Sequence, residues 1–491
     1  MRIKSSYTFI VLASFLFTGC GKFLEEQSQT LAYAKTWQKL DEVLRGEVYT
    51  INKNLQFKWL NAMDDDIADY VTFFSFIDAR NEIFGMYTWQ ADPFTSTYFT
   101  RLQDDTWAPV YRRINAANII AYQAAHSNDD VNQLKRIQGE ALFLRACYYF
   151  YMVNVYAGAY NKATASTDPG VPLKTTEYVE DKYFTRSTVD SVYKQMVTDL
   201  QMAEQYLQGV QQKNTYRADI NAVDLLQSRV YLYMQDWNKA IESADKVLAR
   251  KPSLFQLPNY KEHTSFLTKE SVEVLFTQDG NMTLTLMPES FPPKAMMPSD
   301  ELMSLYVNND LRKVAYFEMA PSGHYRYTKV YTSPSNNINP TETPSDIFTM
   351  RVAEAYLNKA EALAMLKKDG EANQVINTLR KARFAPVHFT EVNLTGAALV
   401  DFIRDERRRE LCFEGHRWFD LKRYAVNPEY PFSKTIIHNW SEAMMGGGSY
   451  IKGALKLEPK DPAYIFPVPA DAIIFNKGVL KQNPERPDRT F

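Results

Sequence analysis

The stretch that most limits how this chain can fold is residues 404–424, R-D-E-R-R-R-E-L-C-F-E-G-H-R-W-F-D-L-K-R-Y. Its charged middle sits in an apolar frame of Phe402, Ile403, Leu411 and Phe413. A step of four from Ile403, and another back from Leu411, both land on Arg407, so a helix here turns that guanidinium inward. An unpaired buried charge is costly, so an inward arginine needs a carboxylate. On a helix, Glu406 reaches Arg409 and Arg407 reaches Glu410, each three residues apart. Gly415 suits the left-handed position that ends a helix. Beyond it Trp418, Phe419, Leu421 and Tyr424 stripe a second helix. Glu406, Arg407, Arg409 and Glu410 are therefore expected to form a structural ion-pair lock joining this helical hairpin to other helices. The competing reading is an arginine cluster for phosphate or carboxylate ligands.

Further helical hairpins recur through the chain. Residues 217–252 carry Tyr231, Trp237, Ala240 and Pro252 at the spacing of a tetratricopeptide unit, and residues 346–383 carry Ala372, Ile376 and Leu379 at second-helix positions. Residues 37–60, 107–118, 134–156 and 187–207 read as helices, the last capped by Ser187 or Thr188. Alanines along 139–149 allow close helix packing. Such hairpins cannot bury their faces alone, so they stack. The expectation is a mainly α fold: a tetratricopeptide-like scaffold with a loop-rich face and short strands near 272–276 and 325–331.

The N-terminus reads as an address. Arg2 and Lys4 precede an apolar run over residues 7–17, too short to span a bilayer, and then Thr18-Gly19-Cys20. The arrangement resembles a bacterial lipobox, with Phe17 where leucine is usual. It implies a signal peptide over residues 1–19 and lipidation of Cys20. Cys147 and Cys412 lie within apolar helical patterns and are expected to be buried thiols.

Composition narrows the function. Lys and Arg number 56 against 58 Asp and Glu, a net charge of −2, which points away from nucleic acid. There is no H-E-x-x-H, no G-x-S-x-G and no nucleotide loop; after Gly446-Gly447-Gly448, Ser449 and Lys452 come in the wrong order. No cofactor motif is present, and the six histidines lack ligand spacing. Asp64, Asp65, Asp66 and Asp69 raise the question of calcium, but the glycine and glutamate of an EF-hand loop are missing, so an acidic turn or helix cap is expected. His416, just after Gly415, is expected to be a structural residue at a helix end.

Two regions have the parts of a ligand cradle. Phe73, Phe74 and Phe76 cluster with Arg80 and Asn81 in an aperiodic stretch, where rings can stack on a sugar or peptide and polar groups orient it; the same phenylalanines equally suit a core plug. His324, Tyr325, Tyr327 and Tyr331 line either a ligand face or a half-buried hairpin. Residues 427–453, with their glycine run, are expected to be a mobile surface loop bearing Trp440 as a contact.

The run from Glu406 to Arg423 closely resembles the C-terminal signature of the SusD/RagB family of outer-membrane nutrient-binding lipoproteins of Bacteroidetes. So do the F-L-E-E segment after Cys20, the acidic turn at 64–66, residues 302–312, and the P-x-P … N … Q-N-P ending at Pro467, Pro469, Asn476 and 482–484. The resemblance implies one SusD-like domain over residues 20–491, with an N-terminal part to about 215 and a C-terminal part from about 216. It implies a non-catalytic, lipid-anchored, cell-surface protein without cofactor or metal, which hands a glycan to a SusC-like TonB-dependent transporter. The RagB branch implies oligopeptide instead. Ligand contacts are implied within 70–85, and the helical repeats become scaffold. A surface glycan hydrolase, its two carboxylates distant in sequence, is the reading from another class.

Overall fold

The structure is a computed structural model that describes residues 36–50, 57–71, 78–98, 100–104, 106–278, 280–287, 296–320, 323–330, 343–445 and 447–491. Cys20, Phe73, Phe74, Phe76 and Tyr331 lie outside the described residues. Helices make up about half of it and dominate the fold, as expected. The principal ones are α1 (Trp37–Val43), α2 (Trp107–His126), α3 (Val131–Tyr156), α4 (Val189–Leu207) and α5 (Ile220–Tyr233). They are followed by α6 (Trp237–Arg250), α7 (Val352–Met365), α8 (Asp369–Lys381), α9 (Gly396–Leu411) and α10 (Arg417–Ala425). Side chains just before several helices accept from free backbone N–H groups: Asp130 for α3, Thr188 for α4, Asp219 for α5 and Asp236 for α6. The helix expected over 37–60 is shorter. α1 passes into a wide turn at Leu44–Val48 that holds Gly46, a weak helix former, and Tyr49 leaves extended.

Packing follows the apolar stripes. From Gly139 to Tyr156 every residue of α3 is buried, because α2 and α4 flank it and α5 also touches it. Gly139 permits this contact: a Cβ there would meet Leu207 Cγ of α4 at 2.9 Å. The hairpins α5–α6 and α7–α8 stack through α6 on α7, and α7 packs on α9. These are the two tetratricopeptide-like units read in the sequence. Cys147 and Cys412 are free and buried. Among the described residues no helix is long and apolar enough to cross a membrane.

Short antiparallel strand pairs complete the described structure. β1 (Ile67–Asp69) pairs with β3 (Met296–Pro298), and β2 (Val274–Phe276) with β6 (Met350–Arg351). β4 (Phe317–Met319) pairs with β5 (Tyr325–Tyr327), and β7 (Ile436–Ala443) with β8 (Ser449–Leu457). The last pair corrects an expectation. Residues 427–453 are not a mobile loop but hold most of a long hairpin in register from Ile436↔Leu457 to Ala443↔Ser449. Alternation on β7 buries Ile436, His438 and Trp440 and exposes Ile437 and Asn439. Gly447 and Gly448, at φ +102° and +85°, supply the turn.

Candidate ligand-binding face

The face is built up from α9. Successive residues on a helix point about 100° apart, so Arg407, Arg408 and Arg409 leave it in three directions. Arg409 Nη2 pairs with Glu406 at 2.7 Å, as its spacing predicts. Arg407 does not pair with Glu410. Its Nε meets Asp420 of α10 at 2.8 Å, its Nη1 donates to Asn358 Oδ1 at 2.8 Å, and its Nη2 lies 3.2 Å from His416 Nδ1. Glu410 points elsewhere, to Arg351 at 2.7 Å, Arg383 at 2.8 Å and Arg312 at 3.1 Å. Burial acts to raise the Glu410 carboxyl, but Arg383 and Arg351 hold it well below the usual carboxylate range. His416 is buried before α10, and burial with the surrounding guanidinium groups pushes it well below its ordinary value. These four residues thus tie α9 to α7, α10 and the segments bearing Arg312 and Arg383.

Arg408 carries the network to the acidic turn. It pairs with Asp66 at 2.6 Å, Glu301 at 2.8 Å and Asp65 at 3.2 Å. Asp65 also receives Arg417 at 2.7 Å and Lys434 at 2.8 Å. Carboxylate oxygens of Asp64, Asp65 and Asp66 lie within 4.8 Å of one another, and all three residues are buried. Arg408, Arg417 and Lys434 surround Asp65, and Arg408 meets Asp66 through Oδ1, while Asp66 Oδ2 is buried without a hydrogen-bond partner. The turn is thereby fixed in place just before β1.

From β1 the chain enters the region that the sequence marks for ligand. Asp69 grips Arg80 through two hydrogen bonds, from Nε at 2.9 Å and Nη2 at 2.6 Å, and accepts from Ser441 N at 2.7 Å. The Arg80 guanidinium lies 3.6 Å from the centre of the Trp440 ring and donates to Ser441 O at 2.7 Å. Phe84 meets Trp440 edge-on at 5.0 Å. Tyr87 donates to Asn439 O at 3.1 Å, and its ring and that of Trp89 sandwich His438 at 4.1 and 4.3 Å. Arg80 and Trp440 are brought together, but as a buried pillar at 9% and 3% exposure. Trp440 is accordingly not the exposed loop contact expected of it: its side of the β7 alternation faces inward.

The remaining candidates surround this pillar. Asn81 is half-buried, and its carbonyl accepts from Thr97 N at 3.3 Å. Tyr325 is half-buried opposite Met319, with the Lys313 ammonium 5.3 Å from its ring. Tyr70 stacks on His324 at 4.1 Å, and burial with the nearby Asp300 charge pushes its hydroxyl up to about 12. β1 contacts β7 and β3 contacts β5, so three strand pairs merge into one face. The described chain runs to Val71 on this face and resumes at residue 78. Phe73, Phe74 and Phe76 belong to that interval, outside the described residues. Met319, Met444, Met445, Tyr450 and Ile451 are exposed on the β4–β5 and β7–β8 pairs. A pocket of about 140 Å³ opens beside it over Trp59, Ile83, Met86 and Phe94, with a Lys58–Glu82 pair of 3.2 Å among its lining residues. Sequence reading gave Asp69 to an acidic turn or helix cap and missed Tyr87 and His438, and all three hold the pillar. No alternation in I-I-H-N-W over 436–440 marked the last, because Ile437 is as apolar as Ile436 and is nonetheless exposed.

Stacked helical hairpins that carry a small β-rich face define a binding-protein scaffold. Comparison with known proteins identifies which one. A family model described as "SusD family" matches residues 184–485, and one described as "Starch-binding associating with outer membrane" matches residues 22–232. The chain belongs to the SusD family. It is 24% identical over 434 residues to SusD-like protein P2 of Formosa agariphila, covering 77% of this chain and 79% of that protein. A SusD-like carbohydrate binding protein from Bacteroides vulgatus superposes with a TM-score of 0.68 at 21% identity, over 93% of this chain and 99% of that one. A laminarin binding SusD-like protein superposes at 0.61 and 19% identity, over 93% and 99%.

Proposed function

We propose that this protein is a non-catalytic cell-surface lipoprotein, anchored through Cys20 in the outer membrane, that captures an oligosaccharide and delivers it to a SusC-like TonB-dependent transporter. The observation that carries the reading is the Asp69–Arg80–Trp440 pillar. It joins Asp69 and Arg80, which bracket the phenylalanine-rich interval in sequence, within a face that carries exposed apolar side chains. A loop whose flanks are joined presents aromatic rings at low entropic cost, which is what a sugar-stacking surface needs. The outer-membrane and starch-binding description of the N-terminal match supports the location and the ligand class, and so does the laminarin-binding neighbour. Oligopeptide is the second reading, favoured by the absence of tryptophan from residues 70–85.

The test is a titration with laminarin and starch oligosaccharides beside defined peptides. Replacing Phe73, Phe74 and Phe76 together by Ala is expected to weaken ligand binding at least about tenfold, since each lost ring contact is worth ~0.5–1.5 kcal/mol, while melting stays unchanged. Unaltered affinity removes the interval as the site. Glycan turnover that disappears on replacing an acidic pair overturns the binding role in favour of a hydrolase.

A further inference from the structure

A second cleft, of about 880 Å³, opens where α1, the first turns of α3 and residues 211–217 meet Lys269 and Gln278, which flank β2. None of its lining residues belongs to the β-rich face. Its volume suits an oligosaccharide segment or a ligand of similar size.

The floor is charge-balanced. Arg217 pairs with Glu140 and Asp41, each at 2.6 Å, and Arg136 pairs with the same two carboxylates at 2.7 and 2.9 Å. Tyr49 donates to Glu140 at 2.5 Å. Burial acts to raise Asp41, but the arginines carry its carboxyl below the ordinary range. Two guanidinium groups against two carboxylates leave no net charge there.

The walls are not balanced. Arg45 leans on Asp41 at 3.2 Å, but that carboxylate is already shared by two arginines. Lys213 and Lys269 also line the cleft, and neither has a carboxylate partner among the described residues. Three cations are thus in excess on a protein whose net charge is −2. Between them stand the amides Gln133, Gln211 and Asn214 and the rings of Trp37 and Tyr216. At the wall, Gln278 Nε2 and Thr50 Oγ1 are buried without a hydrogen-bond partner, in side chains 2% and 6% exposed. Buried polar groups are normally satisfied, and these two are closed off from the solvent of the cleft, so they are a cost the wall carries and not part of its contact surface.

We propose that this cleft is a second binding site, for an anionic oligosaccharide carrying uronate or sulfate groups. Excess cations attract the anionic groups and amides match ring hydroxyls. Trp37 and Tyr216 offer flat apolar surface to the ring faces. A lone inorganic anion would engage the lysines and leave most of the volume and both rings unused. That the anion is borne on a sugar rests on the glycan-capture reading; the anionic character rests on the cleft alone.

The experiment titrates the full chain with oligogalacturonate, a sulfated galactan oligosaccharide, a neutral maltooligosaccharide and inorganic sulfate, following Trp fluorescence and heat at low and high salt. At least one acidic oligosaccharide is expected to bind more tightly than inorganic sulfate, with affinity falling as salt rises. The two acidic arms distinguish carboxylate from sulfate ester. Lys213→Ala with Lys269→Ala is expected to weaken that binding at least tenfold, and Tyr216→Ala to weaken it severalfold. Neither variant touches the packed floor, and both are expected to melt like wild type. The proposal is overturned if neither acidic oligosaccharide binds, or if the double variant binds them as wild type does. Neutral-sugar binding that is lost with the Phe73, Phe74 and Phe76 replacements, yet intact in the lysine variant, keeps the β-rich face as glycan site whatever the cleft does.

Discussion

Arg407 and Arg80 are both guanidinium groups almost shut off from water, and they sit in opposite kinds of surroundings. Arg407 belongs to a web. Asp420, its partner, also receives Arg423 at 2.7 Å, and Arg423 reaches Glu361 on α7 at 2.5 Å. Arg80 belongs to a single column, Asp69 on one side and the Trp440 ring on the other. In the web carboxylates are shared, Asp420 by Arg407 and Arg423 and Glu410 by Arg312, Arg351 and Arg383, so several elements are locked at once. The column joins Asp69 and Arg80, which bracket residues 72–77 in sequence, and its other contacts come from a short local set, Phe84, Tyr87 and Ser441. A family that keeps its scaffold and changes its ligand needs this division, because loops can be rewritten only where few partners depend on them.

The comparison breaks most sharply at Glu410. Glu410→Ala leaves Arg312, Arg351 and Arg383, each at most 1% exposed, short of a shared carboxylate. Removing one member of a buried pair costs about 3–5 kcal/mol, and here three partners lose it, so the expected outcome is failure to fold at 37 °C. Circular dichroism and yield of soluble protein report it; a cooperative melt near the wild-type midpoint would show that the web is dispensable. Arg407→Ala comes next, at about 3 kcal/mol, moderated because Asp420 keeps Arg423. An unchanged melting temperature would count against the lock. Ligand affinity is expected to hold.

The column gives a smaller and more local response. Trp440→Ala should cost about 3 kcal/mol as a large-to-small core change. Arg80→Ala combined with it should show a coupling of about 0.5–2 kcal/mol, because the guanidinium and ring are in contact. Both variants are expected to weaken ligand binding through the interval that the column brackets. Loss of binding in Trp440→Ala with no loss of stability would reverse the assignment and make the ring a ligand contact after all.

These two regions also differ in how much of them could be read beforehand. The signature helix was legible because burial and charge conflict within a few residues: Ile403 and Leu411 force Arg407 inward whatever surrounds it. Its partner was not legible. The i,i+3 rule offers Glu410, but Asp420 arrives from the next helix because the chain turns back through two left-handed residues, Phe413 at φ +57° and Gly415 at φ +73°. The β7–β8 hairpin was missed because Gly446-Gly447-Gly448 draws attention to flexibility, although Gly447 and Gly448 serve one tight turn between two paired strands. Arg80 and Trp440 were read as ligand contacts in two separate segments; their mutual burial depends on Asp69, Tyr87 and Phe84, and no sequence spacing relates 80 to 440.

The finest test of the web is its pH dependence. Burial acts to raise Glu406, but Arg312 and Arg409 bring it down to about 2 from an ordinary 4.5. Above pH 4.5 both folded and unfolded chains hold the carboxylate ionised, and the stabilisation is fully present. As pH falls from 4.5 towards 2 the unfolded chain takes up the proton first, so stability is lost through that window. In Glu406→Gln the site cannot ionise. The gap in unfolding free energy between wild type and Glu406→Gln should therefore be constant near neutrality and shrink as pH falls from 4.5 to 2. A gap that stays constant across that range would mean that Glu406 is held by packing rather than by charge. The Arg407–Asp420 pair would then be the part of the web to test next.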